Sequence, residues 1–597
     1  MKGPPAIVLI VASGIVGASW AGAQDPPKRP DAPSAFPTGY LDHEGLTDAL
    51  RRVAAAHPEA VRVESLARSK EGRDVWLATV GFPEKPTSPR PSILVVANLE
   101  ADHLVGSQVA LGLIERLAGE KLDGRTIYVV PRLNPDGAER LLKGSPRFEI
   151  RDNLAAIDRD RDGRKNEDGP NDLDGDGLAL SMRYKGDKAT LVPDAKDPRI
   201  LRKADTAKGE KPVYSEGTEG IDDDGDGSID EDPPGGVNLN RNWPQGWTEY
   251  NPEAGAYPAS EPEVHGLIRF AFAHPEITVV WSFGLNDNLR GNPQGNPADA
   301  PYLAEIIKSF GSAMASKPSP PRDEPARKAE APGPEPKPET PRAESPPPAE
   351  APRPRAQPKG QGGRRAPASS PSPAASAPAP GLDATTDGSL SEWASQQFGV
   401  VGIASRLWPR PEGPNLGGEG DAGWLEWNDK VMGGSAFVPF RTVEHPTLGS
   451  VEVGGWKPGV RLNPPIEQVG PIVDGHLAFL KDLLGRLPTL NIPSAKAEAK
   501  GGGIFEVRAT VENTGFLPTA LAQGVANRKA PAVLVRLGLG DAKLLSGKAL
   551  VRADALAGSG GSREFRWLIL APGGARSIKH EVSCPKAGTA SREVMLP

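Results

Sequence analysis

Three short apolar runs constrain this chain more than any other feature: Ser92–Ala97 (SILVVA), Thr126–Val130 (TIYVV) and Ile277–Trp281 (ITVVW). They are nearly continuous and rich in β-branched residues, as expected of strands buried on both faces of a sheet. Segments with helical spacing lie between them. Leu46, Leu50, Val53 and Ala54 recur at helical intervals within Glu44–Ala56, and Val105–Leu117 reads as a second helix. Ser260-Glu-Pro-Glu263 predicts a helix start in which Ser260 caps, Glu263 reciprocates and Pro262 occupies the first turn. Alternation of this kind predicts an α/β fold with a mixed central sheet flanked by helices, over residues 38–488.

The pattern changes after Asn491. Phe505, Val507, Ala509 and Val511 alternate with Glu506, Arg508, Thr510 and Glu512, which predicts a half-buried strand. Asn513-Thr-Gly515 turns the chain, and 532–537 and 565–570 read as further strands. A small β-sandwich over residues 491–597 is expected. Residues 317–380 are dominated by Pro, Ala, Ser, Glu, Lys and Arg. Such a segment lacks the apolar surface to offset its ordering entropy, so a disordered insertion within the first domain is expected.

Lys2 precedes an apolar run from Ala6 to Ala18, and Ala21-Gly-Ala23 offers small residues for cleavage. Residues 1–23 therefore read as a signal peptide, which predicts a secreted or periplasmic protein without a membrane span after cleavage. Cys584 is the only cysteine, so no intrachain disulfide is expected. A formal net charge of -7 gives no basic footprint for nucleic acid.

Five segments then occur in a telling order: Ser69-Lys-Glu-Gly-Arg73, Asn134-Pro-Asp-Gly137, Gly236-Val-Asn-Leu-Asn-Arg-Asn-Trp-Pro244, Ser260-Glu-Pro-Glu263 and Val451-Glu-Val-Gly-Gly455. Together they resemble the zinc metallocarboxypeptidases of the carboxypeptidase A/B type, from about Tyr40 to Leu487 without the insertion. The resemblance implies metal-assisted peptide hydrolysis. Zinc is held by an H-x-x-E pair and a distant His, a Glu serves as general base, an Arg stabilises the oxyanion, and an Asn-Arg pair binds the substrate's terminal carboxylate.

Several of those positions depart from the family pattern. The segment matching the zinc pair is Ala97-Asn-Leu-Glu-Ala-Asp-His-Leu-Val-Gly106, with Glu100 at the His position and His103 at the Glu position. The third-ligand segment is Trp281-Ser-Phe-Gly284, and an indole offers a metal no lone pair. The general-base position holds Arg406, in Ser405-Arg-Leu-Trp408, and a guanidinium does not take a proton from water. No Tyr follows Tyr302 to play the family's mobile tyrosine. Asn240 and Arg241 match the carboxylate-binding pair, and Arg151, with Arg147 as runner-up, stands where the oxyanion Arg is expected.

A second metal signature lies between Gly137 and Asn240. Asp158, Asp160 and Asp162, then Asp172, Asp174 and Asp176, then Asp222, Asp224 and Asp226 form three D-x-D-x-D-G loops. Carboxylates at positions 1, 3 and 5 with Gly at 6 wrap a hard cation, so calcium is the expected cofactor. Asn166, Glu167 and Asp168 follow the first loop, and Asp230, Glu231 and Asp232 the third; Gly169, Arg183 and Pro233 stand where an EF-hand has its final Glu.

Three functions remain open on the sequence. The replaced residues and the retained Asn240-Arg241 favour a catalytically inactive protein that binds peptide or cell-wall stem-peptide C-termini. A rewired zinc enzyme would use Glu100, His103 and a third ligand such as His265 or Asp287. A purely structural secreted protein would use the sandwich for attachment.

Overall fold

The computed structural model describes residues 36–81, 90–159, 161–186, 188–315, 388–411, 416, 418–571 and 576–597. The expected signal peptide, the 317–380 insertion and Asp160 lie outside the described residues.

The three apolar runs are strands of one mixed six-stranded sheet. Its order is Val61–Arg68, Asp74–Val80, Thr126–Val130, Ser92–Ala97, Ile277–Phe283, Val401–Ser405. Strands 92–97, 126–130, 277–283 and 401–405 run parallel, and the first two strands join antiparallel at one edge. Successive side chains leave the sheet on opposite faces. Ile93, Val95, Val279 and Trp281 enter one core with helices His43–Ala56, Leu104–Leu117, Ala300–Ala315 and Val469–Arg486. Leu94, Val96 and Val280 enter another, under helix Pro262–Ala273. Each such side chain is fully buried, stabilising the fold by about 1.5–3 kcal/mol. Two-sided burial is the physical reason these runs carry no polar alternation.

The helix at Pro262 begins where expected, but the expected capping box does not form. Glu261 is the N-cap residue and makes no side-chain cap bond. Ser260 Oγ donates to Glu261 Oε1 (2.9 Å) and accepts from Asn242 Nδ2 (3.0 Å). Glu263 is buried, and neither of its carboxylate oxygens has a hydrogen-bond partner. Asn242, from a distant loop, has captured the Ser260 hydroxyl that a local reading assigns to the helix end.

A four-stranded antiparallel sheet, ordered Phe437–His445, Gly449–Trp456, Ser181–Tyr184, Ser215–Thr218, stands beside the main body and holds the acidic loops. The C-terminal region is a β-sandwich of two four-stranded antiparallel sheets. Val507, Ala509 and Val511 point into its core with Trp567, Ile569, Ile578 and Val582, as the alternation predicts. The sandwich is fastened to the main body. Asp299 accepts from the backbone N–H groups of Ala522 and Gln523 (2.8 and 3.0 Å), and Leu517 and Leu521 join the core that also contains Val401 and Ile403. Cys584 is buried and unpaired.

Candidate functional site

Strand Ser92–Ala97 ends in a turn that folds Glu100, Asp102 and His103 beneath the surface. Asn98 takes a left-handed conformation (φ 55°), and its Nδ2 donates to the carbonyls of Glu100 and Ala101 (2.9 and 3.1 Å). The backbone N–H of Ala101 donates to the Arg151 carbonyl (2.8 Å), which draws residues 151–153 alongside. His103 precedes helix Leu104–Leu117 without capping it. Asn463, from the far end of the domain, accepts from the Val105 N–H (2.7 Å) and donates to the Asp102 carbonyl (2.7 Å). Gly137 lets these segments meet, because a Cβ there would lie 2.3 Å from the Asp152 carbonyl oxygen and 2.6 Å from Ala101 Cβ.

Glu100 is 3% exposed, and its Oε1 accepts from Asn240 Nδ2 (2.8 Å). Its carboxylate lies against Gly284, where a Cβ would come within 2.5 Å of Oε2. Burial raises the Glu100 carboxyl, opposed by the Asn240 hydrogen bond and Arg151. Asp102 is fully buried and accepts from Arg151 Nε at 3.2 Å. Burial also raises its carboxyl, while Arg151 pulls it down. Asp102 was not anticipated as a site residue; the signal that could have found it is a second acid beside Glu100 and His103 on one turn. The His103 ring is 1% exposed, with no hydrogen-bond partner on either nitrogen. Burial, then Arg406 and Arg151, push its pKa down to about 3, so the ring is neutral.

The other expected site residues are dispersed. Trp281 Nε1 donates to Ser405 Oγ (3.0 Å), and its ring stacks on His476 (5.7 Å) and meets the edge of Phe479 (5.0 Å) in the core. Arg406 lies close enough to His103 and Asp287 to act on both. Arg147 pairs its backbone with Gly177 and Ala179 at the base of the second acidic loop. His265 is exposed on its helix, so the structure does not bring it to Glu100 and His103. Asp287 is ion-paired with Arg290 (3.1 Å) and lines a separate cavity.

These residues do not fit a zinc ion. The Glu100 carboxylate is held by an amide, Trp281 has no lone pair and is packed elsewhere, and the charges acting on His103 are guanidiniums. Among the described residues, no group whose ligand atoms converge includes Glu100, Asp102 or His103.

The segments that carry the family resemblance prove to be a scaffold. Asp136, fully buried, accepts from Ser69 Oγ (2.7 Å), the Glu71 N–H (3.0 Å) and Arg73 Nη1 (2.8 Å). Asn134 Oδ1 accepts from the Gly137 N–H and caps helix Pro135–Lys143. Glu261 Oε2 accepts from Asn153 Nδ2 (2.7 Å) and pairs with Lys70 (3.3 Å). The first, second and fourth segments thereby brace the turn bearing Glu100.

Above the sealed turn lies a cavity of about 480 Å³. Arg151, Arg159, Arg241 and Arg461 line it with Asp152, Glu253, Phe148 and Trp456. Arg241 pairs with Glu253 (3.4 Å) and Arg159 with Asp152 (3.1 Å). Burial, followed by Glu253, pushes the Asp152 carboxyl up to about 7 against the pull of the arginines. Asn240 does not present its amide to this cavity: Nδ2 serves Glu100 and Oδ1 accepts from the Leu390 N–H (3.1 Å).

Arg159 of the first acidic loop, and Ile229, Asp230 and Glu231 that follow the third, also line this cavity. Three carboxylate groups bring one oxygen each within 4.8 Å of one another: Asp162, Glu167 and Asp224; Asp172, Asp174 and Glu219; Asp222, Asp224 and Asp226. The first group joins two loops, which a loop-by-loop reading of the sequence does not anticipate. Glu219, also unanticipated, accepts from the Leu173 and Leu180 N–H groups (2.7 and 3.0 Å), and burial pushes its carboxyl up to about 7. Asp158 and Asp176 lie outside these groups and accept from the Gly163 and Leu178 N–H groups. Asp230 also lies outside them and is buried; burial, then Asp168, Asp223 and Glu219, push its carboxyl up to about 8.

Residues 46–330 match the family model described as zinc carboxypeptidase, and residues 489–595 match one described as a domain of unknown function. A zinc carboxypeptidase of Saccharothrix mutabilis subsp. capreolus is 27% identical over 118 residues, 18% of this chain and 27% of that protein. Carboxypeptidase M of Mus musculus is 30% identical over 114 residues, 17% of this chain and 26% of that protein. Carboxypeptidase D of Homo sapiens is 33% identical over 140 residues, 18% of this chain and 10% of that protein. The matched stretch thus spans about a quarter of the first two relatives and a tenth of the third. Among solved structures, carboxypeptidase A from Helicoverpa armigera is similar with a TM-score of 0.29 and 16% identity, covering 46% of this chain and 54% of that one. Through residues 46–330 the chain carries a domain of the zinc carboxypeptidase family.

Proposed function

We propose that this protein is exported and binds peptide carboxyl ends without hydrolysing them. The observation that carries this reading is a division of labour between Asn240 and Arg241. Arg241 lines the cavity with Arg151, Arg159 and Arg461, while Asn240 closes on Glu100 below. A guanidinium clamps a carboxylate with parallel hydrogen bonds, so the cavity suits a chain terminus, including that of a cell-wall stem peptide. Arg406 stands in place of a base, and a positioned acid–base residue is worth roughly 10²–10⁴ in rate. Export rests on Lys2, the Ala6–Ala18 run and Ala21-Gly-Ala23. No helix among the described residues is long and apolar enough to cross a membrane.

The test uses blocked dipeptides, with zinc added and with chelator. The expected result is binding that is lost in Arg241→Ala and no chelator-sensitive turnover. Turnover by the unmutated protein that chelator removes, together with stoichiometric zinc in the purified protein, establishes a rewired enzyme instead. That second reading draws on one observation, the neutral His103 ring with no hydrogen-bond partner on either nitrogen.

The acidic loops are proposed to hold calcium. Their ligands are oxygens, and their carboxylates converge in three places. The role is structural, because the loops build a cavity wall and carry no group that the reaction needs.

A further inference from the structure

We propose a buried divalent-cation site at Asp230, behind the D-x-D-x-D-G loops, whose ion fixes the wall of the arginine-lined cavity. The proposal deepens, and rests on, the reading of the acidic loops as calcium loops.

Asp230 differs from the loop aspartates in three respects. It is 9% exposed, whereas the loop residue Asp222 is half-buried and Asp226 exposed. Both of its carboxylate oxygens lack a hydrogen-bond partner, whereas Asp222 and Asp226 accept from backbone N–H groups of their own loop. The charges that act on it are all negative: Asp168, Asp223 and Glu219. A buried carboxylate without a partner is costly, by several kcal/mol in general, unless a cation or a proton satisfies it.

The backbone aims this side chain inward. Asp230 takes a left-handed conformation (φ 56°), and its N–H donates to Asp168 Oδ2 (3.0 Å). Asp168, fully buried, also accepts from the Asp223 N–H through Oδ1 (3.2 Å). A bridge between Asp168 and Asp232 ties the first loop to the third at this point. The Asp230 carboxylate occupies space that Gly220 leaves, since a Cβ on Gly220 would lie 2.2 Å from Oδ1. The side chains that act on Asp230 are all carboxylates, whose oxygens are the ligands a hard cation such as calcium takes.

The same stretch of chain is the cavity wall. Gly217, Thr218, Ile229, Asp230, Glu231 and Gly235 line the cavity together with Arg241. An ion on Asp230 therefore holds the wall from behind, and its loss leaves mutually repelling carboxylates there.

The experiment uses the full mature protein and calcium alone as probe. Calorimetry gives the number of ions bound, and hydrogen exchange gives the protection of residues 217–235. Asp230→Asn should bind one calcium fewer than the unmutated protein. Its exchange across 217–235 in saturating calcium should rise at least tenfold, to the level of the chelated unmutated protein. Asp226→Asn, in the outer loop, should keep that protection. If the unmutated protein binds calcium but Asp230→Asn matches it in stoichiometry and protection, this site is overturned and the loop reading stands. If the unmutated protein binds no calcium, both fall. Should Asp230→Asn fail to fold, equal protection of 217–235 in the unmutated protein with calcium and with chelator overturns the proposal by itself.

Discussion

Asn240 donates to the buried carboxylate of Glu100 at 2.8 Å and accepts the Leu390 N–H at 3.1 Å. One side chain thereby bolts the turn after strand 92–97 to the short helix Leu390–Trp393. Replacing it with Leu leaves an acceptor and a donor buried without partners. Each such loss costs about 1–3 kcal/mol, so Asn240→Leu is expected to lower stability by at least that much in urea unfolding. A variant as stable as the unmutated protein means the amide is not needed by the fold.

Arg151 is the cation facing Asp102 and Glu100. Removing one partner of a buried pair typically costs about 3–5 kcal/mol, because a charge is left uncompensated. Arg151→Met should be destabilised on that order, and Asp102→Asn in the same chain should recover much of the loss. A double-mutant cycle checks this, and strict additivity of the two changes contradicts the pairing.

Glu263 supplies a pH signature. Burial raises its folded pKa to about 8 from an ordinary value of 4.5, with Glu261 and Asp136 adding to the rise. The neutral acid is the form that the fold prefers. Its stabilising contribution is full below about pH 4.5, declines as pH rises through this interval, and is gone above about pH 8. Glu263→Gln, which stays neutral, should show a flatter stability profile across that window and exceed the unmutated protein near pH 8. Parallel profiles of the two proteins would falsify this.

Calcium should raise the unfolding midpoint by mass action on the folded state. At 100 times the dissociation constant, each site adds about 2.7 kcal/mol. Extracellular calcium modules bind at about 10⁻⁴–10⁻³ M, so the shift should develop through millimolar calcium. Thermal unfolding in calcium and in chelator measures it, and coincident midpoints leave the acidic loops without a cation role.

The sequence made the sheet legible because two-sided burial writes itself into consecutive residues, as at Ile93–Val96. The sandwich was legible for the opposite reason, since Val507, Ala509 and Val511 alternate with solvent-facing neighbours. Site chemistry was only partly legible. Glu100, His103 and Arg151 do gather at one turn and its neighbour, yet their relation depends on Asn240 and on Asn463, which reaches Val105 from 358 residues away. No window on the sequence contains such a bond. The same holds for Ser260, where the local capping signal was complete but Asn242, eighteen residues away, took the hydroxyl, while Glu263 was buried without a partner.

The docking of the sandwich has a mechanical consequence. Its short helix Ala522–Ala526, with Asn527 at its end, grips the main body through amides: Gln523 Nε2 donates to the Gln396 carbonyl (3.2 Å), and Asn527 Nδ2 donates to the carbonyls of Gln396 and Gln397 (2.5 and 3.1 Å). Those carbonyls belong to the π-helical turn Ala394–Phe398, and that turn runs directly into strand Val401–Ser405. Arg406 is the next residue. Tension applied to the C-terminal domain, as when a tethered protein is pulled from its anchor, therefore enters the central sheet one residue from the guanidinium that faces His103.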